Sequence, residues 1–169
     1  METLEAIRTR RSIRSFTDRP VPGELIRQLL SSAMSAPSAG NQQPWHFVVI
    51  DDRKILDAVP SIHPYAGMCR SAPLGILVCA DATLEQFKGF WVQDCSAATQ
   101  NLLLAAHDQG LGAVWTGIHP LEERIRAFRT LCGLPEHVIP LALVVLGYPD
   151  QRPGPEDRFR EDRVHRNRW

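Results

Sequence analysis

The segment Ala97-Ala98-Thr99-Gln100-Asn101-Leu102-Leu103-Leu104-Ala105-Ala106 is apolar around most of its circumference when it is wound as a helix. It lies in the longest helical candidate of the chain, residues 88–109, which Gly110 ends. A helix that is apolar on most sides lies in the core of a domain or at an interface between subunits. We therefore expect the rest of the chain to be arranged around this helix.

Shorter helices and apolar strands alternate on both sides of it. The spacing of apolar residues predicts helices over 2–9, 22–35, 53–59 and 120–131, and strands over 45–50, 74–80, 113–116 and 139–146. Prolines make residues 60–73 irregular in this prediction. No βαβ unit carries a glycine-rich phosphate loop, because Gly110-Leu111-Gly112 ends a helix instead of opening one.

Length, net charge and cysteine content limit the classes of protein to which this chain can belong. A length of 169 residues predicts one domain, 1–169, and a net charge of zero gives no support to nucleic acid or an anionic membrane as a partner. No run approaches eighteen apolar residues, and the acidic N-terminus does not resemble a signal peptide. Four widely spaced cysteines argue against a zinc site and a disulfide framework and favour buried thiols in the cytoplasm.

Positive charge is concentrated at the two ends of the chain. Arg10-Arg11-Ser12-Ile13-Arg14 places three guanidinium groups and a hydroxyl within five residues, and six more arginines lie from Arg152 onward. Arginine forks suit a phosphate because they donate hydrogen bonds in pairs to its oxygens. The alternative is a solvated basic turn after a short helix. If the two ends meet in space, they make one cationic site.

The sequence shows no pattern of side chains that would form a catalytic site without a cofactor. The six histidines show neither H-E-x-x-H nor ligand spacing, so no metal site is predicted, and no G-x-S-x-G is present. Glu122 and Glu123 are adjacent on a helix, and Cys95 lies on the apolar helix as a core thiol. An anion site without an acid, base or nucleophile indicates that a bound cofactor supplies the reactivity. The uncharged loop 37–44, rich in amides and hydroxyls, suits the hydrogen-bonding edge of such a group.

Four motifs, in order, resemble those of the nitroreductase family of flavin enzymes. They are R-R-S-x-R at 10–14, A-P-S-x-x-N-x-Q-P-W-H-F at 36–47, G-L-G-A-V-W-T-G at 110–117, and D-R-F-x-x-x-R-V-H-x-x-x-W at 157–169. The resemblance implies an α+β fold with a central, mostly antiparallel sheet flanked by helices. It also implies a homodimer that holds two FMN molecules at its interface. A C-terminal arm, residues 149–169, would cross to the partner subunit and add to its sheet.

The same resemblance assigns cofactor-binding roles by position and no metal ligand. The segment that holds the FMN phosphate, ribityl chain and ring edge corresponds to Arg10, Arg11, Ser12 and Arg14. The loop that reaches the flavin from the other subunit corresponds to Pro37, Ser38 and Asn41. The segment beside the ring near N5 corresponds to Trp115, Thr116 and Gly117, of which Thr116 and Gly117 would present backbone groups. A second phosphate-binding arginine corresponds to Arg158, with Arg160 as its neighbour.

The activity implied is a ping-pong reaction in which NADH or NADPH reduces the flavin at N5 and a nitroaromatic, quinone or similar electrophile then reoxidises it. Dehalogenation, enoate reduction or flavin breakdown on the same fold, and a redox-sensing flavin protein with little turnover, remain open. Residues 60–73 and 82–91 would shape the substrate face in place of the lid of larger relatives. We expect Trp45, His46 and Phe47 to be strand core and Asp94 to support the first turn of the long helix.

Overall fold

The computed structural model describes residues 1–154 and 156–169, so Pro155 of the predicted arm lies outside the described residues. The helices are α1 Thr3–Thr9, α2 Gly23–Met34, α3 Arg53–Ile62, α4 Trp91–Asp108 and α5 Glu122–Cys132. The strands are β1 Trp45–Ile50, β2 Leu74–Asp81, β3 Gly112–Gly117 and β4 Val138–Gly147. The predicted elements are confirmed, most of them to within a residue or two. Within the described ranges, no helix combines the length and apolar character that crossing a bilayer requires.

The four strands form one sheet in the order β1-β2-β4-β3, and every neighbouring pair is antiparallel. Helices cover both of its faces, which confirms the predicted α+β architecture. One cluster of buried side chains lies between the sheet and α2 and α4, and the other lies between the sheet and α3 and α5. The predicted central helix is in the core, since Cys95, Ala98, Leu102 and Ala106 of α4 are fully buried.

Two sequence-based expectations need correction. Helix α3 continues through Pro60 to Ile62 instead of stopping at 59, because the burial of Leu56 and Val59 in the core offsets the one helical hydrogen bond that Pro60 cannot make. His46 is exposed, not core, because alternate residues of a strand face opposite sides and Trp45 takes the buried side.

The N-terminal segment that carries the arginine cluster lies against strand β3. Ile13 donates its backbone N–H to the Ala113 carbonyl at 3.0 Å. A Cβ at Gly112 would lie 2.6 Å from Cγ2 of Ile13, so only glycine permits this approach without a shift. Further along, Asp150 donates its N–H to the Ser15 carbonyl at 2.9 Å. These contacts bring the start of the C-terminal arm beside the arginine cluster.

Beyond Gln151, the C-terminal arm buries none of its described residues on its own chain. Every described residue from Arg152 onward is exposed, including Phe159 and Trp169. Trp169 stacks on His165 with ring centroids 4.5 Å apart, and its side chain is otherwise open to solvent.

Candidate functional site

Residues from both ends of the chain line one cavity of about 760 Å³. Arg10 and Arg11 reach it from the end of α1, and Arg158 reaches it from the arm. The two ends of the chain thus meet in space, as the distribution of arginines suggested. Glu156 lies in the same cavity and pairs with Arg158, whose Nε is 2.7 Å from Oε2 of the glutamate.

The cationic cluster is only partly neutralised from within, because Glu156 pairs with Arg158 and not with Arg10 or Arg11. Nε of Arg10 and Nη2 of Arg11 are buried and have no hydrogen-bond partner among residues 1–154 and 156–169. Burial, followed by the like charges of Arg158 and Arg11, lowers the pKa of Arg10. Buried donors without acceptors are costly, and like charges held together add to that cost. An anion with several oxygens, such as a phosphate, would satisfy both.

The three remaining arginine and serine residues of the prediction, Ser12, Arg14 and Arg160, do not line the cavity. Ser12 forms a parallel bridge with Ala113 of β3, which places it at the edge of the sheet. Arg14 is exposed, and its backbone N–H donates to Oε1 of Gln151 at 3.0 Å. Arg160 pairs with Asp162 on the arm and does not line the cavity. The structure therefore places Arg10, Arg11 and Arg158 together, and leaves Arg160 apart from them.

Strand β3 ends at an open edge of the sheet. Thr116 turns its hydroxyl inward and donates to the Leu143 carbonyl at 2.8 Å, and Ile118 donates its N–H to the Leu141 carbonyl at 3.0 Å. Because the groups of an antiparallel edge strand alternate in direction, both backbone groups of Gly117 point away from β4. A Cβ on Gly117 would meet no atom within 4 Å among the described residues. The face of the strand at Gly117 is therefore open to a flat ligand.

Two side chains hold the carbonyl at this edge. His63 Nε2 lies 2.9 Å from the Gly117 oxygen, and Nη1 of Arg124 donates to the same oxygen at 2.9 Å. His63 is almost fully buried. From the sequence alone, His63 was considered only as a possible metal ligand, and no local pattern could have connected residue 63 with 117. Among the described residues, no group of three side chains is placed to hold a metal ion.

The uncharged loop 37–44 is anchored to α4 through a buried carboxylate. Asp94 accepts the backbone N–H of Ala39 at 2.9 Å and the side-chain amide of Gln42 at 2.6 Å. Asp94 therefore holds the loop. The expected role was different, namely support of the first turn of its own helix. Ser38 accepts the N–H of Gln43 at 3.1 Å, and Asn41 has a left-handed backbone with φ of 56°.

The loop and the arginine cluster lie at opposite ends of α4 within one chain. Asp94 anchors the loop near the start of the helix, and His107 contacts Thr9 at 2.8 Å near its end. Thirteen residues of helix separate them, which corresponds to about 20 Å at 1.5 Å per residue. The structure does not bring Pro37, Ser38 and Asn41 to the arginines of the same chain.

Comparison with known proteins identifies the family to which this sequence and fold are similar. A profile described as the Nitroreductase family matches residues 7–63 and 63–148. A protein of Methanothermobacter thermautotrophicus, provisionally named NADH dehydrogenase/NAD(P)H nitroreductase, is 54% identical over 169 residues, which are 100% of this chain and 88% of that protein. A crystal structure with the same provisional name from Parabacteroides distasonis has a TM-score of 0.95 at 42% identity and covers 99% of this chain and 98% of its own. A provisionally named nitroreductase in complex with FMN from Desulfovibrio desulfuricans has a TM-score of 0.87 at 34% identity, over 100% and 98% of the two chains.

Proposed function

This chain belongs to the nitroreductase family, and we propose that it is an FMN-dependent NAD(P)H oxidoreductase that reduces nitroaromatics, quinones or similar electrophiles. One observation carries the proposal. The two ends of the chain build a cationic cavity whose buried donors, Arg10 Nε and Arg11 Nη2, have no acceptor among the described residues.

The residues present fit FMN. Its phosphate carries a charge of about −1.5 to −2 near neutral pH, which matches the guanidinium groups of Arg10, Arg11 and Arg158 lining the cavity. Ser12 and Arg14 follow directly along the segment that leads to the edge of β3. We assign the phosphate to the arginine cavity and the ribityl chain to the path beside Ser12. Arg160 would contribute only long-range charge.

The ring would lie along the open edge of β3, beside Trp115 and Gly117. Gly117 directs a backbone N–H outward there, and that group does not titrate. The N–H would donate to N5 and favour the reduced ring without a titrating acid. When bound, FMN would accept hydride from NADH or NADPH and pass electrons to a second molecule in ping-pong order.

We propose that residues 1–169 act as one domain in a homodimer with FMN at the interface. The separation of about 20 Å along α4 supports this, because the amides of loop 37–44 could then approach a flavin held by the other chain. The exposed arm supports it too, since Trp169 would be buried on the partner. Pro37, Ser38 and Asn41 are the residues that we assign to this cross-subunit contact. Free and mostly buried cysteines support a cytoplasmic location.

The acceptor face would be shaped by residues 82–91. Phe87 and Phe90 are about half exposed, and Oε1 of Gln42 accepts the N–H of Phe87 at 3.0 Å. The segment is therefore tied to the loop that we place against the flavin. Exposed phenyl rings next to a flat ring favour planar aromatic acceptors. From residues 60–73, Tyr65 is the large exposed side chain nearest the Gly117 edge.

The test measures bound flavin by its absorbance and enzyme activity by the oxidation of NADH or NADPH. The purified protein should be yellow, hold one FMN per chain, and oxidise NADH or NADPH in the presence of a nitroaromatic or quinone. Parallel line patterns with two varied substrates would support ping-pong order. A flavin-loaded protein that oxidises nicotinamide negligibly would contradict the enzyme proposal and point to redox sensing. A protein that ignores added FMN would contradict the cofactor assignment.

A further inference from the structure

We infer that His63 is a positioning residue for flavin reduction, because together with Arg124 it holds the Gly117 carbonyl and so sets the charge at the edge where the flavin lies. The inference rests on the proposed function, since it takes the Gly117 edge to face the ring. It concerns two side chains that neither line the arginine cavity nor belong to the four motifs of the sequence.

The surroundings of His63 fix which ring nitrogen carries the proton. Nδ1 accepts the backbone N–H of Tyr65 at 3.3 Å, so Nε2 is the protonated nitrogen and donates to the Gly117 carbonyl at 2.9 Å. The ring packs edge-on against Phe128, with centroids 6.3 Å apart. Burial lowers the pKa of His63, and the positive charge of Arg124 acts in the same direction. The imidazole is therefore a neutral donor with one orientation.

Arg124 supplies the second donor and a permanent charge. Its Nη1 lies 2.9 Å from the same carbonyl oxygen, and its guanidinium carbon lies 5.6 Å from the centroid of the Tyr65 ring. The guanidinium group of this half-buried side chain is thus held by two contacts. Both lone pairs of the Gly117 oxygen are occupied by donors.

The consequence is electrostatic. The Gly117 carbonyl points to the same open edge as its N–H, and a bare carbonyl would present partial negative charge to a ring that gains negative charge on reduction. Two donors cancel that partial charge, and Arg124 adds a positive one. Preorganised dipoles and charges of this kind stabilise the more negative state. His63 and Arg124 would therefore raise the reduction potential of the bound flavin without touching it.

The experiment compares the midpoint potential of bound FMN in the unmodified protein and in three variants. In His63→Leu and Arg124→Met, we expect the equilibrium to shift at least tenfold toward oxidised flavin, which is about 30 mV lower for a two-electron couple. His63→Gln keeps a donor and an acceptor at similar positions and should stay within twofold. Arg126→Met changes an exposed arginine of the same helix and is the matched control. If His63 were purely structural, His63→Leu could lower stability, but the flavin potential would be the same in His63→Leu and His63→Gln.

The FMN content of each protein distinguishes the possible failures. If the unmodified protein holds no FMN, the proposed function fails and the inference fails with it. If FMN is bound and both His63→Leu and Arg124→Met keep the original potential, the inference alone is overturned. Should His63→Leu not fold, Arg124→Met decides the matter, because its half-buried side chain can be replaced without opening the core.

Discussion

Nε2 of Gln42 donates a hydrogen bond of 2.6 Å to Oδ2 of Asp94, and both side chains are buried. The other carboxylate oxygen accepts the N–H of Ala39, and the other end of the amide accepts two backbone N–H groups of the segment 82–91. One buried pair thus ties the loop that we place against the flavin to helix α4 and to the proposed acceptor face.

Replacing Asp94 with alanine should lower the free energy of unfolding by about 2–4 kcal/mol, because one buried and one part-buried donor lose an ionised acceptor. Urea unfolding followed by circular dichroism measures it. Asp57→Ala is the matched control, since Asp57 is half exposed in an i,i+4 pair with Arg53 and should cost less than about 1 kcal/mol. Equal losses for the two variants would count against the anchoring role of Asp94.

Replacing Arg10 or Arg158 with alanine should weaken FMN binding about 10- to 100-fold, since each removes charge-assisted donors from the phosphate. Fluorescence titration of the flavin-free protein with FMN gives the dissociation constants. Arg160→Ala lies on the same arm outside the cavity and should change the constant less than threefold. If Arg10→Ala and Arg158→Ala both purify with full flavin, the phosphate is bound elsewhere.

Replacing Gly112 with alanine should destabilise the protein by about 1–3 kcal/mol through overpacking, because the new Cβ would meet Ile13 at 2.6 Å. FMN affinity should fall with it, since the arginine segment must move away from β3. Gly23→Ala is the control, for a Cβ there would meet nothing within 4 Å. Thermal unfolding and FMN titration on both variants test this, and an unchanged Gly112→Ala would disprove the close approach.

Acidification should destabilise the folded chain before its carboxylates are protonated. The pKa of His63 and that of His107 are lowered in the fold, chiefly by burial, from the usual 6.5. The unfolded chain therefore binds more protons, so the stabilisation is present above about pH 6.5 and is lost as the pH falls through the folded-state values. Urea unfolding at several pH values should show this slope. The slope of the free energy of unfolding against pH should be smaller in His63→Gln. An identical slope in that variant would show that His63 does not contribute to the pH dependence.

Removal of residues 164–169 should weaken the proposed dimer while leaving Arg158 in place. These residues include Trp169, which finds no burial within its own chain among the described residues. Sedimentation equilibrium should then show more monomer at a given concentration, with a lower FMN content because loop 37–44 of the partner is lost. A truncated chain that remains fully dimeric would contradict the role proposed for the arm.

The linear pattern of residues was enough to predict the strands, four of the five helices closely and the buried position of α4, whereas it gave the meeting of the two arginine-rich ends only as a condition for one cationic site. Periodicity reports which face of an element is buried, and burial drives the fold, so these features are local in the chain. The four sequence motifs in addition predicted the protein family. Helix α3 was cut short at 59 because the prolines that follow are strong breakers when judged without their tertiary contacts.

The pairing of His63 with Gly117, the anchoring of loop 37–44 by Asp94 and the separation of that loop from the arginine cavity could not be predicted in this way. Each depends on how elements far apart in the chain are packed against one another. A hydrogen bond forms only when donor and acceptor lie within about 3 Å of each other in suitable directions. Such distances exist only after the helices have docked on the sheet, and composition and spacing along the chain do not contain them.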